Sequence, residues 1–226
     1  MNSIVQNLNQ IQHRINDAAI RVGRKPQSIR LLAVSKTRTI EEIMRVLDAG
    51  QRDFGENYLD EAIGKIQHIG NRAIWHFIGP IQSNKTRDIA QHFDWVHSID
   101  RIKVATRLNN QRPESLAPLK VCLQVNTSHE SAKSGVAPEG LLSLAKAVNV
   151  LPNLELRGLM TIPAVEDDIE KQKIPFRLLH QLQQQLIDNG IRLDTLSMGM
   201  SNDFETAISQ GATIVRIGTA IFGPRA

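Results

Sequence analysis

The sequence predicts one α/β domain over residues 1–226, a (β/α)8 TIM barrel with an additional helix ahead of the first strand. Three observations point there. Eight short apolar runs alternate with helix-periodic segments, the pattern that builds a parallel sheet wrapped in helices. Residues 31–34 are apolar throughout and 119–125 nearly so, as strands buried on both faces require. The third observation is positional: small and polar residues follow the seventh and eighth runs, where such barrels often bind phosphate.

Taken in order, Ile4, Leu8, Ile11, Ile15 and Ala18 recur at helical spacing, with Gly23 as a stop. The first strand, 31–34, runs into Ser35 and Lys36. Thr39 and Glu42 form a T-x-x-E capping box for a helix over 40–49, which Gly50 closes. A strand over 52–55 leads through Asn57 and Tyr58 into a helix ending near Gly70. A third strand over 74–78, a loop over 79–84 and a helix over 85–93 follow. The fourth strand covers 95–99, and Asp100 is placed to cap a helix over 101–110. The fifth strand is 119–125, and Pro138 suits the first turn of a helix running to about 150. Gly158, inside the sixth strand at 154–160, signals a close backbone approach. A polar helix over 173–189 ends at Gly190, and the seventh strand covers 195–198. Asn202 with Glu205 resembles a capping box for a helix ending near Gly211, before an eighth strand over 213–217. The longest stretches without periodicity, 126–137 and 161–172, follow strands five and six, at the end of a barrel where loops are often functional.

Composition narrows the class. Hydrophobic content of 41% and charged content of 22% are those of an ordinary globular domain. The net charge of +4 comes from 27 basic and 23 acidic residues that are interspersed, and aromatics are only 4%, so nucleic-acid binding is not expected. The lone Cys122 lies in an apolar run and fits a buried thiol in a reducing compartment. The seven histidines do not cluster at metal-ligand spacing, so no metal is expected. The N-terminal stretch is amphipathic without a signal-peptide core, and no apolar run approaches a membrane span. A cytoplasmic protein with no membrane association is the expectation.

Chemistry gathers at the strand ends. Leu32, Val34 and Lys36 share a face, which puts the Lys36 amine at the C-terminal mouth of the barrel, where barrel active sites lie. Arg38 is close enough in sequence to help keep that amine neutral. Gly199 and Gly218 let backbone approach an anion, and Ser201 and Thr219 add hydroxyl donors. Arg216, in an apolar strand facing with Ile214 and Gly218, needs a partner because a buried unpaired charge is costly. That partner is either a carboxylate such as Glu56 or Asp203, or a ligand atom. An amine, a phosphate site and a cation together fit pyridoxal 5′-phosphate (PLP): aldehyde to Lys36, phosphate to Ser201, Gly218 and Thr219, ring nitrogen toward Arg216. Arginine stays protonated and donates to an unprotonated ring, which is a poorer electron sink than a pyridinium.

Several segments carry a closer likeness: Trp75-His76-Phe77-Ile78-Gly79-Pro80-Ile81-Gln82-Ser83-Asn84-Lys85, Ala33-Val34-Ser35-Lys36, Phe54-Gly55-Glu56-Asn57, Met198-Gly199-Met200-Ser201 and Val215-Arg216-Ile217-Gly218-Thr219. With them the chain resembles the PLP homeostasis protein family, which shares the alanine racemase N-terminal barrel. Asn202 departs from the family pattern, while Asp203 keeps its neighbouring acidic position. The resemblance implies that Lys36 holds PLP as a Schiff base, with Asn57 and His76 on the ring side and Met198 and Gly199 beside the phosphate loops. It implies a protein that stores or delivers PLP, with apo PLP-dependent enzymes as partners, and that has no established reaction. Gln82, Asn84 and Lys85 either face the mouth or begin a solvated helix, and Lys133 is a candidate second amine. The competing reading is a racemase-like PLP enzyme. It lacks an obvious second base, since Tyr58 is the only tyrosine, and no C-terminal β domain is in view. A monomer or weak dimer is expected.

Overall fold

The computed structural model describes residues 3–128 and 134–224. Its elements are α1 (Ile4–Arg21), β1 (Arg30–Val34), α2 (Ile40–Asp48), β2 (Asp53–Glu56), α3 (Leu59–Ile69), β3 (Ile74–Phe77), α4 (Thr86–His92), β4 (Trp95–Ile99), α5 (Ile102–Gln111), β5 (Leu119–Gln124), α6 (Pro138–Asn149), β6 (Leu154–Met160), α7 (Ile169–Asp188), β7 (Thr195–Ser197), α8 (Phe204–Ser209), β8 (Ile214–Ile217) and α9 (Thr219–Phe222). The strands are parallel in sequence order, and β8 pairs with β1, with Arg30 opposite Ile214 and Ala33 opposite Ile217, so the barrel closes. The expected (β/α)8 barrel with its extra helix is the fold observed.

Local sequence explains the helices. Ser3 and Gln6 form a capping box at the start of α1, and Leu8, Ile11, Ile15, Ala18 and Ala19 bury one face against α8 and α9. Arg14 and Arg21 on the outer face pair with Glu205 at 3.0 and 3.2 Å. The Thr39–Glu42 capping box forms at α2, and Gly50, at φ 104°, follows its end. Two expected caps do not form. Arg101, not Asp100, occupies the N-cap position of α5, and Asp100 instead pairs with the Arg101 guanidinium at 2.7 Å. At α8 the N-cap is Asp203, whose carboxylate accepts the Met200 N–H at 2.6 Å. Asn202 cannot cap from there, and Glu205 is committed to α1. α7 starts earlier than periodicity suggests because Asp168 accepts the N–H groups of Glu170 and Lys171.

Most of the apolar core lies between the strands and the helices that cover them. The barrel interior holds two small apolar clusters: Leu32, Ile78 and Ile214, with Val34 against them, and Trp95, Cys122 and Met160. Between them lie buried polar side chains: His76, His97, Ser197 and Arg216. Cys122 is a buried thiol whose pKa burial pushes up to about 12, the inert role its sequence context suggested.

Gly158 makes the close approach expected of it: a Cβ there would lie 1.8 Å from the Thr195 carbonyl oxygen on β7. Any side chain forces β6 and β7 apart. Gly158→Ala is therefore expected to cost about 3 kcal/mol of stability, read as a lower urea midpoint; an unchanged midpoint would contradict the tight β6–β7 contact.

Candidate functional site

Lys36 sits two residues beyond the end of β1, half-buried at the C-terminal mouth. The backbone around it is held from α3. Lys65, nearly inaccessible, donates from Nζ to the Ser35 carbonyl at 2.7 Å and to Glu56 Oε1 at 2.8 Å, and also pairs with Glu61. Ser35 Oγ donates to the same Glu56 oxygen at 2.6 Å. Thr37 takes a positive φ of 63°, uncommon for a residue with a Cβ, and its N–H donates to Glu61 at 2.6 Å. The lysine is thus flanked by a left-handed residue on one side and a clamped carbonyl on the other, the kind of local strain that clusters at functional sites. Lys65 and Glu61 carried no sequence signal beyond their helical spacing.

Arg38 has fixed partners of its own. Its guanidinium donates to the carbonyls of Gly223 and Pro224, pairs with Glu42 at 3.6 Å and lies over the Phe222 ring. It ties the C-terminal segment to the mouth from a position two residues beyond Lys36.

Arg216 is buried in the interior. Nη1 donates to Ser197 Oγ at 2.9 Å and Nη2 to the Thr161 carbonyl at 2.8 Å. Among the described residues no carboxylate is within ion-pair distance of it. Both candidates are engaged elsewhere, Glu56 with Lys65 and Ser35, and Asp203 with the Met200 N–H. Burial pushes the Arg216 guanidinium down to about 10, so it remains charged at neutral pH.

His76 lies beneath, with no exposed surface. Its Nδ1 is 2.9 Å from His97 Nε2 and its Nε2 is 3.0 Å from Asp53 Oδ1. His97 Nδ1 reaches Ser197 Oγ at 2.8 Å. β4 and β7 are not neighbours in the sheet, so this last contact crosses the barrel. With both nitrogens engaged, His76 is joined to Arg216 through His97 and Ser197; a direct ring contact with a ligand would break one of those bonds. His97 escaped the sequence reading. The available signal was its parity, since His97 shares an inward face with Trp95.

Asn57 precedes the N-cap residue of α3, Tyr58, and does not cap the helix. Its Oδ1 is buried and finds no hydrogen-bond partner among the described residues, a costly arrangement unless a ligand supplies a donor. Gly79 crosses directly above, where a Cβ would fall 2.3 Å from the Asn57 carbonyl oxygen. Lys85 pairs with Asp60 at 3.0 Å on the surface. At the other side of the mouth, buried Met198 ends the run from β7, and Gly199 follows at φ 91° with its carbonyl accepting the Arg216 N–H at 3.0 Å. Ser201 is half-buried in the turn before α8. Gly218 packs on Val34, a Cβ meeting the Val34 carbonyl oxygen at 3.1 Å, and Thr219 opens α9. Val34 and Gly218 place the loop after β8 beside the end of β1, so Lys36, Arg216 and the two loops share one mouth. Lys133, His129 and Glu130 lie outside the described residues.

This architecture defines a class first: a barrel whose C-terminal mouth brings together an amine, a buried guanidinium and two glycine-containing loops. A family model described as alanine racemase, N-terminal domain, matches residues 6–226. The chain belongs to the family of pyridoxal phosphate homeostasis proteins: it is 55% identical to the member from Pseudomonas aeruginosa over 226 residues, covering 100% of this chain and 97% of that one. The structure of PipY from Synechococcus elongatus with PLP bound is similar at a TM-score of 0.86 and 33% identity, covering 98% of this chain and 100% of that one. Alanine racemase from Corynebacterium glutamicum shares the fold at a TM-score of 0.69 and 20% identity, with 96% of this chain matching 61% of that one.

The clamp behind Lys36 has a pH signature. Burial pushes the Glu56 carboxyl up, while Lys65 and Ser35 pull it back. A carboxyl raised in the folded state holds its proton longer than in the unfolded chain, so its contribution is full at low pH and is lost as pH rises through the folded value. Lys65→Met removes the main opposing pull, pushes the Glu56 carboxyl further up and is expected to cost about 3–5 kcal/mol where that carboxyl is ionised. Urea midpoints taken in mildly acidic and mildly alkaline buffer should show that deficit shrinking toward acid; an equal deficit at both would contradict the coupling.

Proposed function

We propose that this protein binds PLP and takes part in its homeostasis, holding it covalently on Lys36 and passing it to apo PLP-dependent enzymes, without a catalytic reaction of its own. The observation that carries the reading is Arg216, a buried guanidinium at the mouth that no carboxylate among the described residues contacts. A buried cation so placed calls for an acceptor from a ligand, and an unprotonated pyridine nitrogen is one. The unsatisfied Asn57 Oδ1 adds an unfilled acceptor at the same mouth. Bound PLP supplies an electrophilic aldehyde on an electron-withdrawing ring.

The chain's own residues then have distinct tasks. Lys36 supplies the amine, and Ser35, Lys65 and Glu56 fix the backbone beside it. Arg216 donates to the ring nitrogen and, always charged, hands it no proton. Met198, Gly199, Ser201, Gly218 and Thr219 form the phosphate side, with two glycines where side chains would crowd neighbouring residues. Membership of a family whose relatives carry the homeostasis name supports storage and delivery over catalysis. A racemase needs a base on each face of the substrate carbon. Tyr58, the residue that could have been the second base, is half exposed at the N-cap of α3. Lys133 stays a proposed second amine for transfer. Among the described residues no helix is long and apolar enough to cross a membrane.

The test is the visible absorption of protein purified with PLP, beside Lys36→Ala, before and after borohydride. A band from lysine-bound cofactor is expected in wild type and not in the variant, with reduction fixing the label on Lys36. Absence of the band in wild type would overturn the PLP reading. Racemisation of common amino acids that Lys36→Ala abolishes would overturn the non-catalytic part.

A further inference from the structure

The interior polar chain of the barrel has a direction. Arg216 has donors only, so Nη1 gives its hydrogen to Ser197 Oγ. At the other end the Asp53 carboxylate accepts, so His76 Nε2 carries a proton. Burial lowers the pKa of His76 against the pull of Asp53, and burial lowers that of His97 well below its usual value, with His76, Arg216 and Arg30 adding repulsion to His97; both effects favour neutral rings. A neutral His76 protonated on Nε2 accepts at Nδ1, which makes His97 Nε2 the donor across 2.9 Å. His97 therefore accepts at Nδ1, and the Ser197 hydroxyl donates to it across 2.8 Å. The oxygen of that hydroxyl is left with lone pairs for Arg216, which agrees with the order set from the arginine end. Every bond points the same way, from the guanidinium to the carboxylate. Packing holds the chain in line: Trp95 stacks on His76 with planes 8° apart and centroids 5.4 Å apart, and Arg30 anchors Asp53 at 3.3 Å.

We infer that Asp53, at the N-terminal end of the barrel and remote from the mouth, is a positioning residue for Arg216. By accepting from His76 it fixes the donor order through His97 and Ser197, and so holds the guanidinium where the ring nitrogen of a bound ligand meets it. This rests on the PLP reading only for what Arg216 meets; the donor order does not. The arrangement explains how a buried arginine is kept in place with no carboxylate among the described residues in contact. It makes a residue at the opposite end of the barrel matter for the ligand site.

The test has two arms. In 15N-labelled protein without ligand, long-range 1H–15N spectra of the imidazoles should show both His76 and His97 protonated on Nε2 and bare on Nδ1; Nδ1 protonation of either ring overturns the proposal. Asp53→Leu removes the terminal acceptor, and is expected to shift the His97 nitrogen signals two links away and to weaken PLP binding about fivefold or more. Asp53→Asn keeps an acceptor and should restore both. Wild-type signals and affinity in Asp53→Leu overturn the inference, as does an Asp53→Asn that behaves like Asp53→Leu. Should Asp53→Leu fail to fold, the wild-type tautomers decide alone. Wild type that takes up no PLP while both rings are protonated on Nε2 removes the proposed function and leaves the donor order standing.

Discussion

A guanidinium buried inside a parallel barrel, touched by no carboxylate among the described residues, is the constraint around which the rest of the site is arranged. Water alone could satisfy such a charge at the surface. In the interior it needs fixed partners, because burying an uncompensated ion costs several kcal/mol. Arg216 finds a hydroxyl on β7 and a carbonyl after β6. The hydroxyl in turn leads through two imidazoles to a carboxylate on β2. The polar centre that results separates two small apolar clusters where other barrels of this kind are filled by branched aliphatic side chains.

The same logic of remote support governs the lysine. Lys36 is positioned through its neighbours, since Ser35 is clamped by Lys65 and Glu56, and Thr37 is kept in a left-handed conformation with its N–H on Glu61. All three bracing residues belong to β2 and α3, the unit that follows β1 and α2 in the barrel. Asn57 leaves from the same stretch with a polar atom unsatisfied. The mouth is therefore pre-shaped on the β1–β2 side and lined by loops on the β7–β8 side, an arrangement suited to holding a phosphorylated ring across it.

Much of this was legible in the sequence, for physical reasons. Strands buried on both faces write themselves as apolar runs, and parity along β1 and β8 placed Lys36 and Arg216 at the mouth. Gly158 announced a backbone contact because nothing larger fits beside the Thr195 carbonyl. What stayed hidden depends on barrel closure. His97 and Ser197 are a hundred residues apart in sequence and hydrogen-bond across the interior, and no local pattern encodes such a pairing. Asp100 and Asn202 misled for a different reason: each had a sound local role available, and a competing residue won it. Asp203 took the cap position at α8 and Arg101 that at α5. Glu56 and Asp203 were reasonable partners for Arg216 by charge alone, yet Lys65 and the Met200 N–H hold them elsewhere.

On the proposed reading, Arg216, held from below, faces the ring nitrogen of PLP. A crystal structure of the protein grown with PLP tests it most directly. The account requires a guanidinium nitrogen within hydrogen-bonding distance of the ring nitrogen, with the bonds to Ser197 and the Thr161 carbonyl intact. A bound ring whose nitrogen meets a carboxylate or solvent, with Arg216 turned away from it, would contradict the account.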